Sequence, residues 1–269
     1  MIINHNISAL NTHRQLGINN NSAAKAMEKL SSGLRINRAG DDAAGLAISE
    51  KMRAQVRGLE QASRNAQDGI SLIQTAEGAL TETHAILQRM RELAVQAATD
   101  TYSDDDRALL QEEIDELVDE LDRIANNTEF NGETLLDGSF TGKVIHIGAN
   151  SGQTLAIEFG DMTSGTLLSA TDLSTQANAN TLIDAIDTAI ETVSKERATL
   201  GAWQNRLEHT IKNLDNTAEN LQAAESRIRD TDMAKEMMEF TRANILNQAA
   251  TAMLAQANQQ PQGVLQLLR

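Results

Sequence analysis

The chain has 269 residues, a formal net charge of −15 and no cysteine. The lack of cysteine excludes disulfides, thiol catalysis and thiolate metal sites, and an acidic chain without a basic stripe is poorly suited to binding nucleic acid. Hydrophobic residues make up 41% of the sequence, aromatic residues only 2%, and a single proline is present. Many aliphatic side chains and few helix breakers predict a mainly α protein.

No segment of the sequence predicts a membrane span or a cleaved secretory signal. A run of about 18 apolar residues, which a spanning helix needs, does not occur. Residues 1–6 lack the basic start and the apolar run of a signal peptide. We therefore expect no membrane partner, and either a cytoplasmic location or export by a route that cleaves nothing.

The first segment with helical periodicity is residues 5–33. Its apolar stripe begins with Ile3, Ile7 and Leu10 and weakens through three consecutive asparagines. A short helix with so little apolar surface is marginal in water on its own. We expect this segment to fold only against a partner.

Two long segments, residues 44–98 and 181–229, repeat apolar residues every seven positions. The repeats are Met52, Leu59, Ala66, Ile73, Leu80, Leu87 and Ala94 in the first segment and Ile186, Val193, Leu200, Leu207, Leu214, Leu221 and Ile228 in the second. Sustained heptads predict helices of a multi-helix coiled-coil bundle, about 80 Å and 75 Å long at 1.5 Å per residue. Their matched lengths indicate an elongated bundle.

A third helix is predicted over residues 104–126. Ser103 is its expected N-cap, and the three aspartates that follow suit the positive end of the helix dipole. A calcium loop is the alternative interpretation, but no glycine or glutamate follows at the spacing of that motif. Fourteen acidic residues against two basic ones between Asp100 and Asp137 predict a solvated acidic face on this helix.

The middle of the chain, residues 128–180, departs from the helical pattern. An Asn-Gly pair at 131–132 marks a turn. Alternating apolar residues in 143–147 and 153–159 predict a small β-hairpin. Residues 163–180 are rich in Ser, Thr and Asn, which predicts a surface excursion that tolerates insertions.

The last segment, from Met233 to the chain end, is again apolar and helical. Its large apolar residues include Met238, Ile245, Leu246 and Met253. Pro261 and Gly263 predict the end of this helix. So many apolar residues at a chain end call for a partner surface.

A charged joint, residues 34–44, links the first helix to the first long helix. The charged residues of the joint are Arg35, Arg38, Asp41 and Asp42. Gly33 and Gly40 permit backbone angles that a helix forbids, and the aspartates are placed to start the next helix. We expect a joint that bends.

No arrangement of residues predicts catalysis, a cofactor or a bound metal. The five histidines lack metal-ligand spacing, and the sequence contains no nucleophile elbow, zinc-protease motif or phosphate loop. The carboxylates lie on predicted solvent faces without neighbours that would separate their pKa values. We therefore expect a protein that is not an enzyme and has no cofactor.

Several motifs together resemble bacterial flagellin. They are LSSGLRIN at 30–37, DDAAGLAI at 41–48, QRMRELAVQA at 88–97, FNG at 130–132 and SRIRDTDMA at 226–234. The resemblance covers roughly residues 1–140 and 180–269. Many flagellins carry large outer domains in the middle of the chain, so the short middle here resembles a minimal flagellin.

The resemblance implies a structural subunit that polymerises into the flagellar filament for motility. The alternatives are a hook–filament junction protein and, from another class, a signalling coiled coil. Residues 1–33 and 234–269 would pair as a terminal coiled-coil domain in an inner shell, and residues 45–233 would form a long-helix domain in an outer shell. The joint would connect the shells, and its four charges are expected to pair with neighbouring subunits.

The resemblance also implies partners and an extracellular location. The partners are many copies of the chain itself, the flagellar export apparatus, a flagellin chaperone, the filament cap and junction proteins, and the host innate immune receptor for flagellin. Arg89, Leu93 and Glu113 match the positions that the family uses for that receptor, with subunit packing as the alternative role. Export would proceed without a cleaved signal peptide, and assembly would depend on the apolar residues of both terminal helices.

Overall fold

The computed structural model describes residues 6–267, with side chains described as far as residue 259. The helices are α1 (Ile7–Ser32), α2 (Ala43–Ala97), α3 (Asp104–Asn127), α4 (Ser164–Leu167), α5 (Gln176–Arg229) and α6 (Met233–Leu267). The strands are β1 (Glu129–Phe130), β2 (Glu133–Thr134), β3 (Lys143–His146) and β4 (Thr154–Ile157). The prediction of a mainly α bundle with a small β region is confirmed. None of the helices in the described part is both long and apolar enough to cross a membrane.

The chain divides into two compact units. The first contains Met1–Ala54 and Asn220–Arg269, and the second contains Gln55–Glu219. Helices α2 and α5 contribute residues to both units. The predicted joint, residues 34–44, lies within the first unit, while the assignment of segments to inner and outer shells stays a prediction.

The core of the second unit is built from the heptad residues of α2 and α5. Leu80 and Leu87 of α2 and Leu200 and Leu207 of α5 have no exposed surface. Ile114 and Leu121 of α3, seven residues apart, are buried with them. A seven-residue spacing keeps apolar side chains on one helix face, and the structure confirms that this face lies in the core.

The start of α3 follows the predicted capping pattern. The Ser103 hydroxyl accepts a hydrogen bond from the Asp106 amide at 3.2 Å, and an Asp106 carboxylate oxygen accepts one from the Ser103 amide at 3.0 Å. These bonds satisfy two backbone N–H groups that the first turn leaves free. The Ser103 hydroxyl and amide hold the pKa of Asp106 below its ordinary value.

Arg107 connects the start of α3 to the end of α2. Its Nε donates to the Ala97 carbonyl at 3.1 Å, and one terminal nitrogen donates to the Thr99 carbonyl at 3.1 Å. The other terminal nitrogen lies 2.8 Å from a carboxylate oxygen of Asp104. Because Arg107 is only 8% exposed, one buried cation closes the turn between two helices.

The predicted β-hairpin is confirmed and packs on α2. β3 pairs antiparallel with β4, and Leu155 and Ile157 of β4 point into the core. A Cβ atom added at Gly58 of α2 would lie 3.0 Å from the Cβ of Ala149 in the hairpin loop. Glycine at this position therefore lets the hairpin loop approach the helix closely.

The prediction of a surface excursion over residues 163–180 is wrong for its leucines, although half of the segment is exposed. Leu167, Leu168 and Leu173 are buried in the core, and α5 already begins at Gln176. The segment is anchored by α3. Asp122 accepts from the amide and the hydroxyl of Ser164, both at 2.7 Å.

A second side chain of α3 anchors the same segment. The Gln111 amide group accepts from the Leu173 amide at 2.6 Å and donates to the Thr171 carbonyl at 2.9 Å. These side-chain bonds replace the backbone ladder that an irregular segment lacks. The polar residues of the segment therefore include ones that form turn and cap hydrogen bonds as well as ones that are exposed.

The predicted end of the last helix at Pro261 and Gly263 is also wrong. α6 continues to Leu267. Proline removes one helical N–H group, which leaves the carbonyl four residues earlier without its helical donor. That carbonyl belongs to Ala257, and it accepts a hydrogen bond from the Asn6 side chain at 2.7 Å. The carbonyl that Pro261 deprives of its helical donor therefore has another donor.

Candidate assembly site

The predicted pairing of the terminal helices is confirmed, since α1 packs against α6. The residues that this pair buries are small or polar. They are Asn19, Ala23 and Ala26 of α1 and Ala243, Ala250 and Ala257 of α6. The three alanines of α6 recur every seven residues and therefore share one face.

Most of the large apolar residues of the same pair are exposed, while Leu16, Leu30, Phe240 and Leu254 are partly buried. The predicted assembly residues Ile7, Leu10, Met238, Ile245, Leu246 and Met253 are between 44% and 67% exposed. Ile3 lies outside the described residues. Ile18, Met27, Met233 and Met237 were not among the predicted assembly residues, and they are also about half exposed. Scattered exposed apolar residues are ordinary, but a continuous set on one helix pair is typical of an interaction surface.

A shallow groove on α6 gathers part of this surface. Met237, Met238, Ile245 and Leu246 line it, together with Thr241 and Arg242, around a volume of about 450 Å³. Methionine side chains are flexible and polarizable, so they adapt to varied apolar partners. The groove is thus suited to receiving apolar side chains from another molecule.

Residues 33–35, just after α1, form backbone hydrogen bonds with residues 229–231, which separate α5 from α6. Gly33 has a φ of 72°, the left-handed conformation that ends α1. Its carbonyl accepts from the Thr231 amide at 3.0 Å, and the Arg35 amide donates to the Arg229 carbonyl at 2.7 Å. Sequence reasoning identified both breaks but missed that they hold each other through backbone hydrogen bonds.

The two arginines of the joint have partners within the chain. The Arg35 guanidinium donates to the Ile228 carbonyl, near the C-terminal end of α5. Arg38 Nε lies 2.9 Å from a carboxylate oxygen of Glu28. A cation suits the negative end of a helix dipole, so Arg35 supports the end of α5.

The two aspartates of the joint cap backbone N–H groups. Asp41 Oδ2 accepts from the amides of Asn37 at 3.2 Å and Arg38 at 3.0 Å. These amides hold the pKa of Asp41 below its ordinary value of 3.8. Asp42 Oδ1 accepts from the Gly45 amide at 2.8 Å, which makes Asp42 the N-cap of α2. All four charges therefore bond within the chain, and pairing with neighbouring subunits stays a prediction.

Replacing Asp41 and Asp42 together with alanine is expected to alter assembly while leaving the helical content of the subunit nearly unchanged. Loss of the Asp42 N-cap costs about 1 kcal/mol, too little to melt a helix as long as α2. Because its pKa is lowered in the fold, Asp41 contributes above pH 3.8, and the contribution is lost as the pH falls through the lowered value. Circular dichroism and electron microscopy of polymers check this, and unaltered polymers would contradict it.

Two of the three positions matched to immune recognition lie together on the surface. Arg89 Nε and one terminal nitrogen donate to Glu113 Oε1 at 2.9 Å and 2.7 Å, and this carboxylate raises the pKa of Arg89. A further nitrogen donates to Glu92 at 3.2 Å. Leu93, in contrast, is 1% exposed and belongs to the core, and its role in immune recognition stays a prediction.

In the described part of the chain, no group of His, Cys, Asp and Glu side chains is arranged to hold a metal ion. The polar side chains described above serve caps, turns and helix pairs. The arrangement that stands out is therefore a helix pair with small residues inside and large apolar residues outside.

Comparison with known families gives two matches. The bacterial flagellin N-terminal helical region matches residues 3–141, and the bacterial flagellin C-terminal helical region matches residues 183–268. A flagellin from Halalkalibacterium halodurans is 65% identical over 272 residues, covering all of both chains.

Solved structures agree with these matches. The crystal structure of Bacillus cereus flagellin is 40% identical, with a TM-score of 0.51, and covers 60% of this chain and 94% of that chain. A putative flagellar hook-associated protein from Vibrio parahaemolyticus has a TM-score of 0.60 and covers 71% of this chain and 100% of that chain. At 16% identity it shows a shared fold alone.

Proposed function

Because this chain belongs to the bacterial flagellin family, it is a structural subunit of the flagellar filament, and we propose that the α1–α6 pair carries contacts between its copies. The chain is 65% identical to a named flagellin over the full length of both chains, and the hook–filament junction alternative has no support. The filament is extracellular, and a structural subunit needs no catalytic residues.

The proposal rests on how α1 and α6 pack: the fully buried residues of the pair are small or polar, and most of its large apolar residues are exposed. Ile245 is 60% exposed and Met238 is 67% exposed, and complete burial of a fully exposed side chain of this kind is worth roughly 1.5–3 kcal/mol, of which these two can still gain the larger part. A surface that repeats in every copy and does not close on itself generates a helical polymer. Burial of these residues among neighbours would supply strength that a chain without disulfides must find elsewhere.

Peroxide footprinting of methionines tests this proposal. Oxidation to the sulfoxide requires an accessible sulfur, so Met238 and Met253 should react readily in the soluble subunit. After polymerisation induced by salt, we expect their oxidation to slow at least fivefold. Mass spectrometry of peptides measures the rates, and Met90, which has no exposed surface, is the internal control that stays slow in both states. Equal rates for Met238 in the subunit and in the polymer would contradict the proposal.

The remaining partners belong to the same proposal. Family membership supports delivery by the flagellar export apparatus without a cleaved signal, and growth between the junction proteins and the filament cap. The methionine-lined groove on α6 suits a flagellin chaperone that covers apolar surface before export. The exposed Arg89–Glu113 pair supports contact with the innate immune receptor, while Leu93 is buried in the core.

A further inference from the structure

One hydrogen bond joins the far ends of the terminal helices. Asn6 Nδ2 donates to the Ala257 carbonyl at 2.7 Å, across 251 positions of sequence. Asn6 is also the N-cap of α1, because its Oδ1 accepts from the Ala9 amide at 3.1 Å. The side-chain amide group of Asn6 therefore caps the start of α1 and also binds α6.

The carbonyl that Asn6 binds is chemically distinct from its neighbours. In a helix, the carbonyl of residue i accepts from the amide of residue i+4, and the residue four positions after Ala257 is Pro261. Proline has no N–H group, and Pro261 is the only proline in the chain. Ala257 thus carries the one carbonyl of α6 that a proline deprives of its helical donor.

The rest of the pair holds this end only weakly. The buried residues of α6 are Ala243, Ala250 and Ala257, and alanine buries little apolar surface. The ion pair between Lys29 and Glu236, at 3.6 Å, is partly exposed, and such pairs contribute little. The backbone bonds between Gly33 and Thr231 fix the opposite end.

We propose that Asn6 is a positioning residue that locks the far end of α1 to α6 at the carbonyl freed by Pro261. Separation of the two helix ends would leave this carbonyl without a donor, so the paired arrangement of these ends is favoured. The lock fixes which exposed apolar residues of α1 lie beside those of α6. This inference rests on the proposed function, because the surface that it aligns is the one proposed to join copies.

Asn6→Ser tests the lock. Serine caps a helix as well as asparagine does, but its hydroxyl is too short to bind the cap amide and also reach Ala257. We expect the subunit concentration needed for polymerisation to rise about tenfold, the effect of an unsatisfied carbonyl. Asn20→Ser, the same change at an exposed position of α1, is the matched control and should polymerise like the wild type. Wild-type behaviour of Asn6→Ser would overturn the proposal.

Pro261→Ala supplies the second half of the test. Alanine returns the helical N–H to the Ala257 carbonyl, so the Asn6 donor is no longer required there. Adding Asn6→Ser to Pro261→Ala should therefore change the polymerisation concentration by less than about twofold, because the carbonyl keeps its helical donor. An undiminished tenfold effect in the Pro261→Ala background would overturn the link between Asn6 and the proline.

Hydrogen exchange in the assembled polymer separates this inference from the proposed function. Asn6→Ser should speed amide exchange in the first turns of α1 and around Ala257, while Asn20→Ser should not. If the wild-type chain polymerises without using the α1–α6 pair, the proposed function fails and the exchange result still decides the lock. Unchanged exchange at both helix ends would overturn it.

Discussion

Replacing Ile245 with lysine is expected to abolish polymerisation and leave the soluble subunit folded. Ile245 is 60% exposed on α6, and substitutions at exposed positions usually change stability by less than about 0.5 kcal/mol. In a polymer that buries this face, each copy would place an unpaired ammonium group in an apolar contact, which costs several kcal/mol per charge. Sedimentation measures polymer formation, and circular dichroism measures the helical content of the subunit.

A matched substitution outside the α1–α6 pair makes the prediction specific. Thr192 is exposed on α5, in the second unit. Thr192→Lys adds the same charge to the subunit and should polymerise nearly as the wild type does. Polymers of normal length from Ile245→Lys, or equal failure of both variants, would contradict the role given to this face.

The heptad core was predictable because its signal is local. Leu80 and Leu87 are separated by seven residues of one helix, and the spacing alone places them on one face. Likewise, the cap at Ser103 depends on a residue only three positions away, Asp106. In both cases the residues that decide the structure lie within a few turns of each other, so the sequence pattern contains the whole physical argument.

The features that sequence reasoning missed depend on partners far along the chain. Leu173 lies in a polar segment, and its backbone amide binds Gln111, 62 positions away, one of the α3 side chains that hold that segment. Pro261 predicts a helix end by every local rule, yet Asn6 satisfies the carbonyl that it frees. No pattern within one segment reveals these pairings, because neither residue of a pair belongs to a sequence motif that points to its partner.

The assembly surface was partly predictable, for a related reason. The apolar residues of both termini and their need for a partner surface were visible in the sequence, but which residues the α1–α6 pair buries was not. Helix faces usually turn large apolar residues inward, whereas Ala250 is buried and Ile245 is exposed on the same helix. The closeness of α1 and α6 explains this arrangement, since small residues allow helices to approach while larger ones remain available to neighbours.

Removing the side chain of Arg107 is expected to lower the free energy of unfolding by about 3 kcal/mol, the typical cost of leaving buried hydrogen-bonding groups without a charged partner. The guanidinium is 8% exposed and binds the carbonyls of Ala97 and Thr99, both at 3.1 Å. Arg107→Ala leaves these carbonyls without that donor and opens a cavity beside the turn. Arg107→Lys should recover only part of the loss, because an ammonium group lacks the planar fork that reaches both carbonyls.

Arg123→Ala is the matched control for Arg107→Ala. Arg123 lies on the same helix, but it is largely exposed and its ion pair is with Glu120, three residues earlier. Exposed pairs of this kind contribute about 0–1 kcal/mol, so Arg123→Ala should hardly shift the unfolding midpoint. Guanidinium chloride denaturation followed by circular dichroism compares the variants. Equal destabilisation by the two alanine substitutions would contradict the view that a buried cation, rather than charge on α3 in general, closes the turn between α2 and α3.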